Sequence, residues 1–390
     1  MTQTETFLIV LLIIFSLPYL VWRLIGRAAL PLVVVQIVAG VLLGPGILGA
    51  VSPDLQTRLF GPDVIVTISG IAWWGVMLFV WLAGLELDLA EAWRQRRETA
   101  VTAGLALLVP LLAGSVAGLI LVQTAGWVGP KGTTWQAVLG LGMSCAVTAL
   151  PILVLFLTQL GLLRQPLGQR VLRYASLDDI AIWAVLALIL LQWDRLGHQL
   201  GFLAGFAAAA VVLRRVLPRL AEADRWALGM VWLLAASWAS DWCGLHYMVG
   251  AFLSGAVLEA KWFGLPQIDT FREVLLRAIM PVFFLFTGLR ADWDIGGAAV
   301  LAAAALLLVA SVGGKLAGVH LAGKLLGWPA GEASTIGWLL QTKALIMIIF
   351  ANILLDKAII TPASFTALLV MALCSTMLTM PIVARRFGPT

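Results

Sequence analysis

The sequence predicts an all-α polytopic membrane protein whose thirteen spans divide as six, one and six. Three observations carry that reading. Of the 390 residues, 62% are apolar and 12% charged, with a mean hydropathy of +1.02; soluble domains sit near half apolar and a quarter charged. Apolar runs able to cross roughly 30 Å of hydrocarbon recur along the chain. The basic residues alternate between the two sides of those runs.

The runs lie near 6–24, 31–49, 64–87, 99–123, 134–159, 170–192, 198–213, 226–243, 245–259, 273–290, 296–319, 333–355 and 362–384. Those at 198–213 and 245–259 are short. The first has no basic stretch before it and no small-residue cleavage site behind it, so it reads as a span and not as a cleaved signal. The longest polar gaps, around 90–98 and 214–225, read as loops, and no stretch is left over for a soluble domain.

With the N-terminus outside, eighteen of the 25 Lys and Arg residues fall inside. Five, Arg58, Lys131, Arg195, Arg290 and Lys357, fall outside, and Lys315 and Lys343 fall within spans. This bias supports both the odd count and a cytoplasmic C-terminus. The net charge of +5 is then loop asymmetry facing a lipid bilayer, with no nucleic-acid partner implied. Cys145, Cys243 and Cys374, like His198, His246 and His320, are scattered, so neither a disulfide framework nor a metal site is expected.

An odd linker helix between two six-helix halves inverts one half against the other, as in many secondary transporters. The fifth and twelfth runs then correspond. The fifth holds Ser144, Thr148 and Pro151; a proline lacks an N–H and clashes with the preceding turn, which predicts a helix broken at mid-membrane. The twelfth has no proline but gathers Gln341, Thr342 and Lys343 at the same depth. Interrupted helices in matching positions mark the expected binding site.

The sixth run carries the adjacent acids Asp178 and Asp179, and downstream of them there is no charge until Asp194. Ionisable residues inside a span are costly and usually functional. Acids can also serve only to cap a helix N-terminus, but Arg170 and Arg173 mark the water-side end and place the pair more than a turn inside. Helix neighbours point about 100° apart, so one acid can face a water-filled site while the other pairs within the bundle.

Several stretches resemble the monovalent cation/proton antiporters, in the branch of Kef-type potassium/proton antiporters, plant cation/proton exchangers and NapA-like sodium/proton antiporters. They are residues 36–45, ending Gly44-Pro45; residues 82–88, Leu-Ala-Gly-Leu-Glu-Leu-Asp; residues 147–153 around Pro151; Leu177-Asp178-Asp179; residues 250–255; and residues 281–290, ending Gly288-Leu289-Arg290. The resemblance implies a sodium/proton antiporter-like fold with crossed broken helices. It places the ion-binding carboxylate on Asp179 and the acid that precedes it in electrogenic members on Asp178. Lys315, in Gly314-Lys315-Leu316-Ala317-Gly318, matches the membrane lysine that pairs with that acid. A buried lysine must lose its charge or find a carboxylate, and Gly313, Gly314 and Gly318 suggest close packing around it rather than a side chain snorkelling to the surface.

The resemblance further implies a core of about 99–192 and 296–384 moving against a scaffold of about 6–87 and 226–290, with 198–213 as linker. A homodimer in a bacterial inner membrane is expected, with no cofactor beyond the transported Na+ or K+ and protons. Thr148, Ser176, Asp178 and carbonyls of the broken helices would supply further oxygens to a cation at Asp179. One feature departs from the family: Lys343 is followed by Ala344-Leu345-Ile346-Met347, with no acid as its local partner. Lys343 is left to offset the negative C-terminal ends of half-helices.

Exchange follows from one carboxylate that a proton or a cation can neutralise, but not both. An organic-anion carrier on the same plan would need neither the acid pair nor two intramembrane lysines. A membrane enzyme would need a nucleophile or metal cluster, which the sequence does not offer. The missing acid after Lys343 keeps a non-transporting sensor or partner subunit as the other alternative.

Overall fold

The computed structural model describes residues 2–25, 32–85, 96–162, 165–191, 195–291 and 297–387. Among the described residues the structure is helical, with one isolated β-bridge between Val128 and Ile360. Glu86, Leu87 and Asp88 of the third-run motif lie outside the described residues.

Every predicted run coincides with helix. The first three are α1 (Gln3–Ile25), α2 (Leu32–Leu43) with the short α3 (Leu48–Val51) and α4 (Pro53–Leu59), and α5 (Pro62–Leu85). The fourth is α6 (Arg96–Leu121), and the fifth is split into α7 (Thr134–Ala146) and α8 (Leu150–Gln159). Then come α9 (Pro166–Ile189), α10 (Leu196–Val216), α11 (Glu222–Trp242) and α12 (Tyr247–Ala256). The tenth run is α13 (Leu265–Val274) joined to α14 (Met280–Leu289) by a π-helical turn over Leu275–Ile279. The chain ends with α15 (Gly297–Leu326), a second split helix, α16 (Glu332–Leu339) and α17 (Ile346–Asp356), and α18 (Pro362–Phe387).

Among the described residues seven helices are by themselves long and apolar enough to cross a membrane. The split helices fall short because each half is brief. The shortfall at α9 follows from the charges it carries, Arg170, Arg173, Asp178 and Asp179, and that at α11 from Arg225 and Asp241 together with its tryptophans and serines, which lower its hydropathy.

The chain forms two compact units. The first comprises Met1–Phe15, Arg58–Leu87 and Trp183–Phe286. Here α5 and α12 meet backbone to backbone: a Cβ on Gly255 would stand 2.0 Å from Trp81 O, and one on Gly84 would stand 2.4 Å from Phe252 O. Between membrane helices such close contact replaces the hydrophobic drive that lipid cannot supply. Fully buried Trp81 anchors an aromatic cluster with Phe263 and Trp226, at ring separations of 5.5 and 6.1 Å.

The second unit comprises Ser16–Thr57, Asp88–Ile182 and Thr287–Thr390. There α15 presses on α6, with Gly318 facing Leu105 O and Gly314 facing Pro110 Cα; a Cβ would come within 2.2 and 2.6 Å of them. Gly313 meets open space, so two of the three glycines grouped around Lys315 provide the close packing. Backbone bonds from Gly129 N to Ile359 O (2.9 Å) and from Lys131 N to Ala358 O (3.0 Å) clasp the segment before α7 to the segment after α17.

Candidate functional site

The site is built where the two split helices touch, within the second unit. Thr133 caps α7, and its N–H donates to Gln136 Oε1 (2.9 Å), as in a capping box. It stops at Ala146, and Val147 turns extended at φ −62°, ψ 149°. Pro151 falls in the first turn of α8, where a missing N–H costs nothing. The break therefore precedes the proline and is not a kink at it. In the partner helix residues 340–345 are non-helical. The unwound stretches meet: Ala149 N donates to Thr342 O at 2.5 Å, and Thr342 Oγ1 lies 3.4 Å from Ala149 O and 3.3 Å from Leu339 O, alternative acceptors for its one proton.

The second break needs no proline because α18 satisfies the peptide groups it frees. Thr376 Oγ1 accepts from Lys343 N (3.3 Å) and Ala344 N (3.2 Å), and Ser375 Oγ donates to Gln341 O (2.9 Å). Backbone that is irregular at membrane depth persists only where such partners exist. Nothing in the sequence singles out Ser375 and Thr376, since their partners are more than thirty residues away and no local pattern marks them.

Asp178 and Asp179 lie well inside α9, each 1% exposed, so they do not cap its N-terminus. Lys315, fully buried on α15, donates from Nζ to Asp178 Oδ2 (3.0 Å) and Thr148 Oγ1 (3.1 Å). Thr148 Oγ1 is 2.6 Å from Asp178 Oδ2 and 2.8 Å from Leu340 O, which are alternative acceptors for its one proton. Asp178 Oδ1 has no hydrogen-bond partner among the described residues. Asp178 thus takes the bundle-facing direction. Asp179 does not face a water-filled site in this conformation; the packed helices shut both acids off from solvent.

Lys343 Nζ donates to Cys145 O (2.7 Å) and Val147 O (2.9 Å). These carbonyls belong to the C-terminal end of α7, where acceptors are left over and the helix dipole is negative. The ammonium caps a half-helix in place of meeting an acid, and the nearby Met347 is fully buried. Ser311 Oγ also donates to Cys145 O (2.9 Å) and accepts from Gln341 Nε2 (2.8 Å). Two candidates turn away from the acids. Ser144 Oγ donates to Gly140 O (2.8 Å) and Ser176 Oγ to Leu172 O (3.0 Å), the back-bonding habit of helical serines.

A second cluster continues the Asp178 face of α9, since Arg170 and Tyr174 precede it at four-residue steps. Arg170 pairs with Glu98 (2.8 Å) and Glu332 and lies 5.0 Å over the Trp328 ring, while Tyr174 Oη donates to Glu98 Oε1 (2.5 Å). This cluster ties the ends of α6, α9 and α16 together. The stripe of Arg170, Tyr174 and Asp178 was its one sequence signal.

Comparison with known proteins bears on the family and the fold. A family model described as the transmembrane sodium/hydrogen exchanger matches residues 9–385. The chain is 28% identical over 405 residues to the Na(+)/H(+) antiporter NhaS4 of Synechocystis sp., covering 98% of each. It is 26% identical to Cation/H(+) antiporter 20 of Arabidopsis thaliana over 92% of its own length, but it spans only 46% of that protein, about half. Among solved structures, the sodium proton antiporter MjNhaP1 of Methanocaldococcus jannaschii has the same fold, with a TM-score of 0.63 over 99% of this chain and 97% of that one, at 14% identity.

Proposed function

The chain belongs to the sodium/hydrogen exchanger family, and from that premise we propose that it exchanges a monovalent cation, Na+ or K+, for protons by alternating access, with the two cargoes competing at Asp179. The observation that carries this reading is the buried Asp178–Lys315–Thr148 cluster beside Asp179 at the contact of two unwound segments. A carboxylate out of water must be neutralised. A proton or a cation can each do so for Asp179, and only a neutralised site crosses the barrier. Asp178, Thr148 and the carbonyls of the unwound segments are the further oxygen ligands available to a hard cation.

The elements that hold the cluster, α7, α8, α15, α16, α17 and most of α9, fall in one compact unit, which favours their moving as a core. The protein works as a homodimer, with its N-terminus outside and its C-terminus in the cytoplasm of a bacterial inner membrane. Lys343, which caps α7, balances the charge of the break without an acid. This favours transport over a purely sensory role, because the feature the missing acid would serve is served by carbonyls.

The test is flux of Na+, K+ and Li+ in proteoliposomes across a range of pH. Asp179→Asn is expected to abolish exchange while the protein still folds. Near wild-type flux in that variant would remove Asp179 from the mechanism.

A further inference from the structure

Ser311 stands on α15 one turn before Lys315, so the two side chains share a face. Along that face α15 follows the end of α7 and the stretch beyond it. Cys145 Sγ lies 3.6 Å from Leu307 O, Ser311 Oγ donates to Cys145 O, and Lys315 Nζ donates to Thr148 Oγ1. Ser311 also reaches the other break, where it accepts from Gln341 Nε2 at 2.8 Å. Both side chains are fully buried, and among the described residues this is the one hydrogen bond that the Gln341 amide makes. Gln341 is thereby fastened to α15 immediately after Leu340, whose carbonyl oxygen lies 2.8 Å from Thr148 Oγ1.

A threonine hydroxyl has one proton and two lone pairs. The Thr148 proton has two acceptors, Asp178 Oδ2 at 2.6 Å and Leu340 O at 2.8 Å. The charged acceptor is the stronger, and while the proton points there it occupies the carboxylate that a cation would use. A hydroxyl ligates a cation only through a lone pair. For Thr148 and Asp178 to serve the same ion, the Thr148 proton has to point elsewhere, and Leu340 O is the acceptor that allows it. We propose that Ser311 and Gln341 are positioning residues for cation binding: their bond holds Leu340 O within reach of Thr148, so that the hydroxyl turns from Asp178 to Leu340 and meets the arriving cation with a lone pair. Neither residue touches the ion. The inference rests on the proposed competition at Asp179, and it makes the effect one-sided. A proton on Asp179 needs no ligand from Thr148, whereas a cation does, so loss of the bridge weakens the cation alone.

The test is the initial rate of exchange in proteoliposomes against Na+ and K+ concentration, for wild type, Ser311→Ala, Gln341→Leu, the double variant and Asp179→Asn. In each of the first two variants the KM for the transported cation is expected to rise about three- to tenfold, the worth of roughly one hydrogen bond, with the rate at saturation retained. Both substitutions remove the same bond, so the double variant should share the KM of the singles and not show the product of their effects. Gln341→Leu leaves Ser311 bonded to Cys145 O and strands no buried donor, so it carries the test alone if Ser311→Ala does not fold. An unchanged KM in Gln341→Leu, a fall in maximal rate without a change in KM, or effects that multiply in the double variant overturns the positioning role and leaves Asp179 in its own. Flux in Asp179→Asn, or none in wild type, overturns the competition at Asp179 and this inference with it.

Discussion

Lys315→Met removes the cation that neutralises Asp178. The two atoms stand 3.0 Å apart, which at an effective dielectric of about 20 is an attraction of about 5–6 kcal/mol. Desolvation costs several kcal/mol per ion, so the intact pair is nearly neutral against an apolar pair of similar size, whereas one charge alone is stranded. Lys315→Met and Asp178→Leu are each expected to cost about 3–5 kcal/mol of stability. Lys315→Met should lie toward the lower figure, because Thr148 still donates to Asp178 Oδ2 at 2.6 Å and such charge-assisted bonds are strong. The double variant Lys315→Met/Asp178→Leu is expected to recover most of the loss, leaving a large coupling energy. Equilibrium unfolding of all four proteins in mixed micelles measures it. If the double variant loses the sum of the single losses, about 6–10 kcal/mol, the two charges do not depend on each other and the reasoning fails.

Two further outcomes follow from the same geometry. Wild-type exchange is expected to respond to an imposed membrane potential, because a cation between the two acids frees Lys315 from Asp178 and two protons then trade for one monovalent ion; Asp178→Asn should be slower and electroneutral. Flux at set potentials in proteoliposomes decides this, and indifference of the wild type would leave Lys315 a structural partner only. A tag placed after Thr390 is expected to be reachable only from the cytoplasmic side, and labelling from the periplasm of intact cells would overturn the proposed orientation.

The class of the protein, the order of its helices and the candidate residues Asp178, Asp179, Lys315 and Lys343 were legible in the chain alone. These are properties of the chain taken one residue at a time. Hydrocarbon admits helices and little else, so hydropathy and a few misplaced charges are enough to read them. Which polar groups meet is settled in three dimensions. Lys343 reaches a carbonyl 198 residues earlier in the chain, and Arg170 reaches Glu98 and Glu332 on two other helices. Ser375 and Thr376 serve a break on another helix. Ser144 and Ser176, polar and correctly placed along the chain, turn back onto their own helices. A hydroxyl or ammonium in a span is bound to find a partner. Which one it finds depends on distances between helices, and those are fixed by packing, through contacts such as Gly318 against Leu105, that no single stretch of sequence contains.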